Sequence, residues 1–233
     1  MNHRSLLAIA ALATCAGAFA IAQPPQPPQP TPPAGATPAA PDATAAADMQ
    51  AYADAATPGP MQAFLAKSAG AWTGESTMWP APGAEPIRNP CTSTAVVLME
   101  GRYVKSDYAG DMPGMGPFTG MSIAGYDNVA KKFQSCWIDN TGTGIMTGTG
   151  ELGPDGTTLT WNFTFNCPIT KKPTILRQIE RHPSADAMSL EMFGNDPHSG
   201  KEFKLMEIHF KRASAAASPT APVAPAHPQA ESR

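Results

Sequence analysis

Few side chains in this sequence combine a reactive type with a suggestive spacing. Glu207 and His209 are two apart, so on a strand they share one face and could act as an acid–base pair. Asp139 stands in the same relation to Trp137, and Arg177 is a cation that could balance either carboxylate or fix the polar end of a ligand. Met112 and Met115 flank Pro113-Gly114, with Met121 beyond. Thioethers suit cuprous ion, but neither a second Met-x-x-Met nor a nearby histidine completes such a set. Cys91, Cys136 and Cys167 lie in no CxxC and have no metal-like spacing. If the chain is exported, one bridge and one free thiol is the expectation, with the pair left open.

Three common chemistries lack their motifs. A nucleophile elbow needs Gly-x-Ser-x-Gly between a strand and a helix. The nearest run, Gly120-Met121-Ser122-Ile123-Ala124, lacks the second glycine and falls inside a strand pattern. The glycines at 142, 144, 148 and 150 do not form Gly-x-Gly-x-x-Gly, and no helix pattern follows to receive a phosphate. They suit a sharply curved strand or a close backbone approach. With 16 basic and 19 acidic residues and no basic block, the chain lacks the face a nucleic-acid partner demands. No motif arranges a nucleophile, a base and an oxyanion site, so the reading leans away from an enzyme.

The elements that would position these side chains are strands. Leu159, Trp161, Phe163 and Phe165 alternate strictly with Thr160, Asn162 and Thr164. Met188, Leu190 and Met192 alternate with Ser189 and Glu191. Turn residues punctuate the chain at Asp127-Asn128, Gly153-Pro154-Asp155-Gly156, His182-Pro183-Ser184 and Asn195 to Gly200. About ten strands result: roughly 71–79, 91–99, 102–110, 117–126, 131–139, 144–152, 157–166, 173–182, 187–193 and 202–212. One short helix, Met61 to Ala69, precedes them, with Gly70 placed to stop it. The expected fold is all-β: an antiparallel up-and-down barrel, because closing a long meander removes its edges. In the last strand Phe203 and Leu205 are out of phase with Met206, Ile208 and Phe210, which calls for a bulge near Leu205-Met206.

The ends read differently. Residues 1–22 have the pattern of an export signal: Arg4, the apolar stretch Leu6 to Ala13, and small-x-small sites ending at Ala20 and Ala22. Cleavage near Ala22 would make the protein periplasmic or secreted; the alternative is a lipoprotein anchored through Cys15. Residues 23–59 are rich in Pro, Ala, Gln and Thr and read as a disordered linker. Residues 213–233 read as a second disordered tail, leaving 60–212 as the barrel domain. Past the start of the chain no apolar run of about 18 residues occurs, so no helical membrane span is expected in the mature chain.

Several short runs, in order, carry a family resemblance. They are Gly70-Ala71-Trp72-Thr73-Gly74-Glu75, Met78-Trp79-Pro80, Gly101-Arg102-Tyr103, Gly125-Tyr126-Asp127-Asn128, Trp137-Ile138-Asp139-Asn140, Gly144-Ile145-Met146 and Gly200 to Lys204 followed by Met206-Glu207-Ile208. The chain resembles the bacterial domain of unknown function 1579, and its first strand resembles that of the calycins, the lipocalin-type barrels. The resemblance implies a calycin-like barrel with Trp72 at the closed end beneath Arg212 or Lys211. It implies no reaction, cofactor or catalytic residue. In nitrobindins, which are also calycin-like, a histidine near the barrel's end holds haem, and His209 is similar in rough position. Haem through His209 and copper through Met112 and Met115 therefore stand as alternatives to a barrel without a cofactor. The functional expectation is a binding module for a small apolar or amphipathic ligand, with Met121, Trp137, Asp139, Met146, Trp161, Arg177, Glu207 and His209 as candidate contacts. The alternative is an envelope protein that presents its barrel surface and Pro-rich arms to a partner.

Overall fold

A computed structural model describes residues 43–112 and 114–214; the segment read as an export signal, Cys15, most of the segment read as a linker and nearly all of the tail lie outside the described residues. Two helices, α1 (Ala43–Ala56) and α2 (Pro60–Ala66), precede ten strands. These are β1 (Gly70–Met78), β2 (Ile87–Leu98), β3 (Tyr103–Met112), β4 (Gly116–Asp127), β5 (Lys132–Asp139), β6 (Met146–Leu152), β7 (Thr158–Asn166), β8 (Pro173–Ser184), β9 (Ala187–Asn195) and β10 (Glu202–Arg212). Each strand pairs antiparallel with its sequence neighbour, and β1 pairs with β10, so the sheet is a closed up-and-down barrel.

Period-two patterning decides which residues turn inward. In β7, Leu159, Trp161 and Phe163 are buried while Asn162 and Thr164 are exposed. In β10 the register against β9 shifts between Lys204 and Met206. That bulge lets Met206, Ile208 and Phe210 all face the interior despite the broken alternation before them. The glycines of β6 allow the close approach their spacing suggested. Gly148 lies opposite Phe163, and Gly150 opposite Trp161. A Cβ on Gly148 would come within 2.4 Å of the Phe163 ring, and one on Gly150 within 2.7 Å of the Trp161 ring. Both rings therefore lie over bare backbone.

The end of the barrel where β1 begins is plugged. Pro60 starts α2, and Gln62 receives the Gly59 N–H on its side-chain oxygen at 2.8 Å. The Gln62 amide nitrogen then donates to the Tyr126 carbonyl and to Asn128. These bonds aim Phe64 and Leu65 into the barrel, where they pack with Phe133, Leu159 and Trp161. Burying each contributes about 1.5–3 kcal/mol. Beside them Trp72 packs with Met188, Leu190, Ile208 and Phe210, and its indole N–H donates to the Ser68 carbonyl.

The linker expectation needs one correction. Ala43–Ala56 is a helix, although it lies within the segment read as disordered. The stretch between Pro41 and Pro58 holds no proline and is half alanine, the best helix former. No residue of α1 is buried. The Asn128 side-chain amide donates to the carbonyl of Ala55 in the helix's last turn and to that of Thr57 just beyond its end.

Candidate functional site

Between the α2 plug and the opposite rim the barrel encloses a cavity of about 270 Å³. Its wall carries the rings of Tyr108, Phe118, Trp137, Trp161, Phe163 and Phe210. Tyr108 stands 5.3 Å from Trp137 and 6.2 Å from Phe210, and Phe118 stacks on Trp137. Met78, Met112, Met146, Met188, Met192 and Met206 fill the spaces between them. Thioether side chains are unbranched and adaptable, so this wall can reshape around different contents. A second hollow, of about 750 Å³, lies on the outer wall of β4–β7 and is bordered by polar side chains such as Gln134, Thr149 and Asn162.

Polar groups interrupt the inner wall at defined points. Glu180 is inward on β8 with its side chain 15% exposed. Its Oε2 accepts the Trp161 indole N–H at 3.2 Å, and its Oε1 lies 2.6 Å from His182 Nε2. His182 is pinned in turn edge-on to Phe64. Burial, and then the Glu180 charge, pushes the Tyr108 phenol well above its ordinary value, while hydrogen bonds with Ser93 and Ser106 pull the other way. Tyr108 thus stays protonated. Asp139 sits near the rim. Burial pushes its carboxyl up, but bonds from the Thr141 hydroxyl, the Trp137 indole and the Thr141 N–H outweigh this and hold it below the usual range. Cys91 lines the same wall, and burial, with the Glu75 charge, pushes its thiol up to about 11.

Four of the eight expected contacts line this cavity: Trp137, Asp139, Met146 and Trp161. The other four are on the outer face. Met121 is one residue out of phase with the inward Ser122. Arg177, between the inward Leu176 and Gln178, lies 4.2 Å over the Phe193 ring and pairs with Glu202 at 2.8 Å. Glu207 pairs with Lys204 at 2.9 Å on the outside of β10. The His209 side chain is 70% exposed, so haem held through it would have no enclosing wall. Met112 reaches the cavity, whereas Met115 is 64% exposed. No cluster of three His, Cys, Asp or Glu side chains occurs among the described residues.

Tyr108, Ser93, Ser106 and Glu180 were missed. The alternation Val104, Ser106, Tyr108 in β3 was the available signal for two of them. Around Glu180 the inward positions of β8 include the polar Gln178, while Ile175 and Ile179 fall on the outer face, so periodicity does not mark Glu180 as inward. The expected disulfide is absent: Cys91, Cys136 and Cys167 are all free. Cys91 faces the cavity, Cys136 borders the outer hollow, and Cys167 follows β7 in the turn to β8. The barrel wall separates the first two, and a disulfide needs Cα atoms within about 7 Å and facing Cβ vectors.

The fold and its interior define a calycin-like barrel with an enclosed, aromatic and thioether-lined cavity. The chain belongs to the family described as protein of unknown function (DUF1579), whose model matches residues 57–212. No curated protein matches it in sequence. Among solved structures it is similar to Rv2717c from M. tuberculosis, with a TM-score of 0.52 and 12% identity over 68% of this chain and 100% of that one. It is also similar to the S-type phycobiliprotein lyase CPES from Guillardia theta, with a TM-score of 0.47 and 9% identity over 66% and 93% of the two chains. At 12% identity the likeness to Rv2717c concerns the fold alone.

Proposed function

We propose that this protein is an exported binding module that holds a small amphipathic ligand inside its barrel. The observation that carries this reading is the cavity of about 270 Å³, walled by aromatic and methionine side chains and marked by a few fixed polar groups. That mixture of apolar wall and sparse polar anchors is how small-molecule sites are built. The volume lies just under the usual range of about 300–1,000 Å³, which favours a small ligand. Export is supported by the sequence of residues 1–22, which has the charge, apolar stretch and small-residue sites of a cleavable signal.

A native mass spectrum tests both parts. The full-length precursor would be produced in cells and the protein recovered from the periplasmic or secreted fraction. The expected result is a chain beginning near Gln23, with added mass that is lost on denaturation. A bare native mass, together with unchanged tryptophan fluorescence on titration with small apolar probes, would overturn the binding reading. A chain that keeps residues 1–22, or that carries lipid on Cys15, would overturn the proposed processing.

A further inference from the structure

The cavity wall has a charge character that narrows what it can take. Among the described residues that line it there is no lysine, arginine or histidine, whereas Asp139 and Glu180 face inward and Asp111 borders the rim. The two inward carboxylates are not equally available. The oxygens of Asp139 already receive the Trp137 indole and both the N–H and the hydroxyl of Thr141. Glu180 receives one bond on each oxygen, from Trp161 and His182. A carboxylate has about four lone-pair sites, so Glu180 keeps acceptor capacity directed at the interior. Its surroundings are apolar and aromatic, which weakens screening and strengthens attraction for a donor or a cation.

The groups packed around Glu180 point the same way. His182 lies beside it toward the α2 plug and does not line the cavity. Tyr108, across the interior, stays a neutral phenol hydrogen-bonded with Ser93 and Ser106, so it adds no charge. Arg212 sits over the Trp72 ring, and its guanidinium donates to the carbonyls of Lys67, Ala69 and Ala185 at the closed end. Arg181 and Lys204 are taken up by Glu191 on the outer wall. An anionic amphiphile such as a fatty acid would bring a second negative charge beside Glu180, and no lysine or arginine among the described residues lines the cavity to balance it. Tyr108, Trp137 and Trp161 line the cavity, and aromatic π-systems attract positive charge.

We infer that the cavity is selective for a small amphiphile bearing a protonated amine, with the ammonium group paired to Glu180 and the apolar part against the aromatic and methionine wall. This inference rests on the proposed binding role and adds the charge class of the ligand.

Three probes of nearly equal shape test it: phenylbutylamine, phenylbutanol and phenylbutyrate. Binding to the mature protein would be followed at neutral pH by tryptophan fluorescence and calorimetry. The amine should bind most tightly and the acid least. E180Q should lower amine affinity about tenfold or more, as expected for losing a charge-assisted hydrogen bond, and leave alcohol affinity nearly unchanged. D139N should change the amine-to-alcohol ratio less than about threefold, as for a weakly coupled charge. The ratio is the readout, because a merely structural effect of either variant would move both probes together. If E180Q fails to fold, the wild-type ranking decides. Acid binding as tight as alcohol would overturn the charge inference while leaving a binding role standing. Failure of all three probes to bind would overturn the binding role itself.

Discussion

Arg212 lies over Trp72, with its guanidinium carbon 4.2 Å from the ring centroid, and so joins the end of β10 to the start of β1. The same guanidinium donates to the carbonyls of Ala69 at 2.7 Å and Ala185 at 2.7 Å. It therefore satisfies backbone groups where the helix plug, the first strand and the β8–β9 turn meet. Gly70 makes room for it: φ there is +123°, and a Cβ would come within 2.5 Å of Arg212 Nη1. R212A should lower unfolding stability by about 2 kcal/mol, combining the lost cation–π contact with the released carbonyls. R212K should recover only part, because an ammonium cannot span both carbonyl sets. Urea denaturation midpoints at constant slope would measure this; an unchanged R212A midpoint would show that the contact is ornamental.

The bare backbone beneath Phe163 and Trp161 gives a second expectation. G148A and G150A would each push a methyl into a ring at under 3 Å. Overpacking of this kind costs about 1–3 kcal/mol. Gly142 has open space around its Cβ position, and G142A should stay within about 0.5 kcal/mol of the parent. Thermal melts of the three variants, run side by side, would separate packing from a general cost of replacing glycine.

Thiol reactivity should follow the three cysteine environments. The Cys167 thiol is pulled below its ordinary value by the Thr170 N–H, with further help from the Thr170 side chain and the Ile169 N–H. The Cys91 thiol is pushed up to about 11 by burial and by Glu75. Only the thiolate attacks alkylating agents. Timed iodoacetamide labelling near pH 8 with peptide mapping should therefore modify Cys167 well before Cys91. The protein should be labelled at all three positions, with no prior reduction, once unfolded. Early labelling at Cys91 would mean that the barrel opens readily or that its interior is wetter than this packing implies.

Acid should weaken the barrel. Asp139 and Glu191 are both held below their ordinary values of 3.8 and 4.5. For Glu191 the causes are hydrogen bonds from Lys204 and then Arg181. The folded state therefore binds fewer protons than the unfolded chain in this range. The stabilisation is complete above the ordinary values and is lost as pH falls through the lowered ones. Lys204 is raised above 10.5 by Glu191 and Glu207, so its contribution is complete below that value and fades at strongly alkaline pH. Melting temperatures should be flat across the neutral range and fall below about pH 4. E191Q should shrink the fall; an equally steep acid limb in that variant would place the sensitive carboxylates elsewhere.

The sequence by itself determined the strand number, their order, the short helix ahead of them and the bulge after Lys204. These features are local. Period-two contrast in segments such as Leu159 to Phe165, and turn chemistry such as Gly153 to Gly156, need no knowledge of distant residues. Composition misled at Ala43–Ala56, where alanine without proline is as consistent with a helix as with a spacer. Only the tertiary structure decided which carboxylate looks inward. Glu180 sits in a strand whose isoleucines, Ile175 and Ile179, fall on the opposite face, so alternation there does not mark its side as the inner one, whereas Glu207 alternates with Met206, Ile208 and Phe210 and reads as outward once the bulge is allowed for. Register across the closed sheet settles the matter. The β8–β9 pairing sets Glu180 opposite the buried Leu190, and the β10 bulge turns Glu207 out toward Lys204. A side chain's face in such strands is a property of closure, because only the completed barrel distinguishes inside from outside.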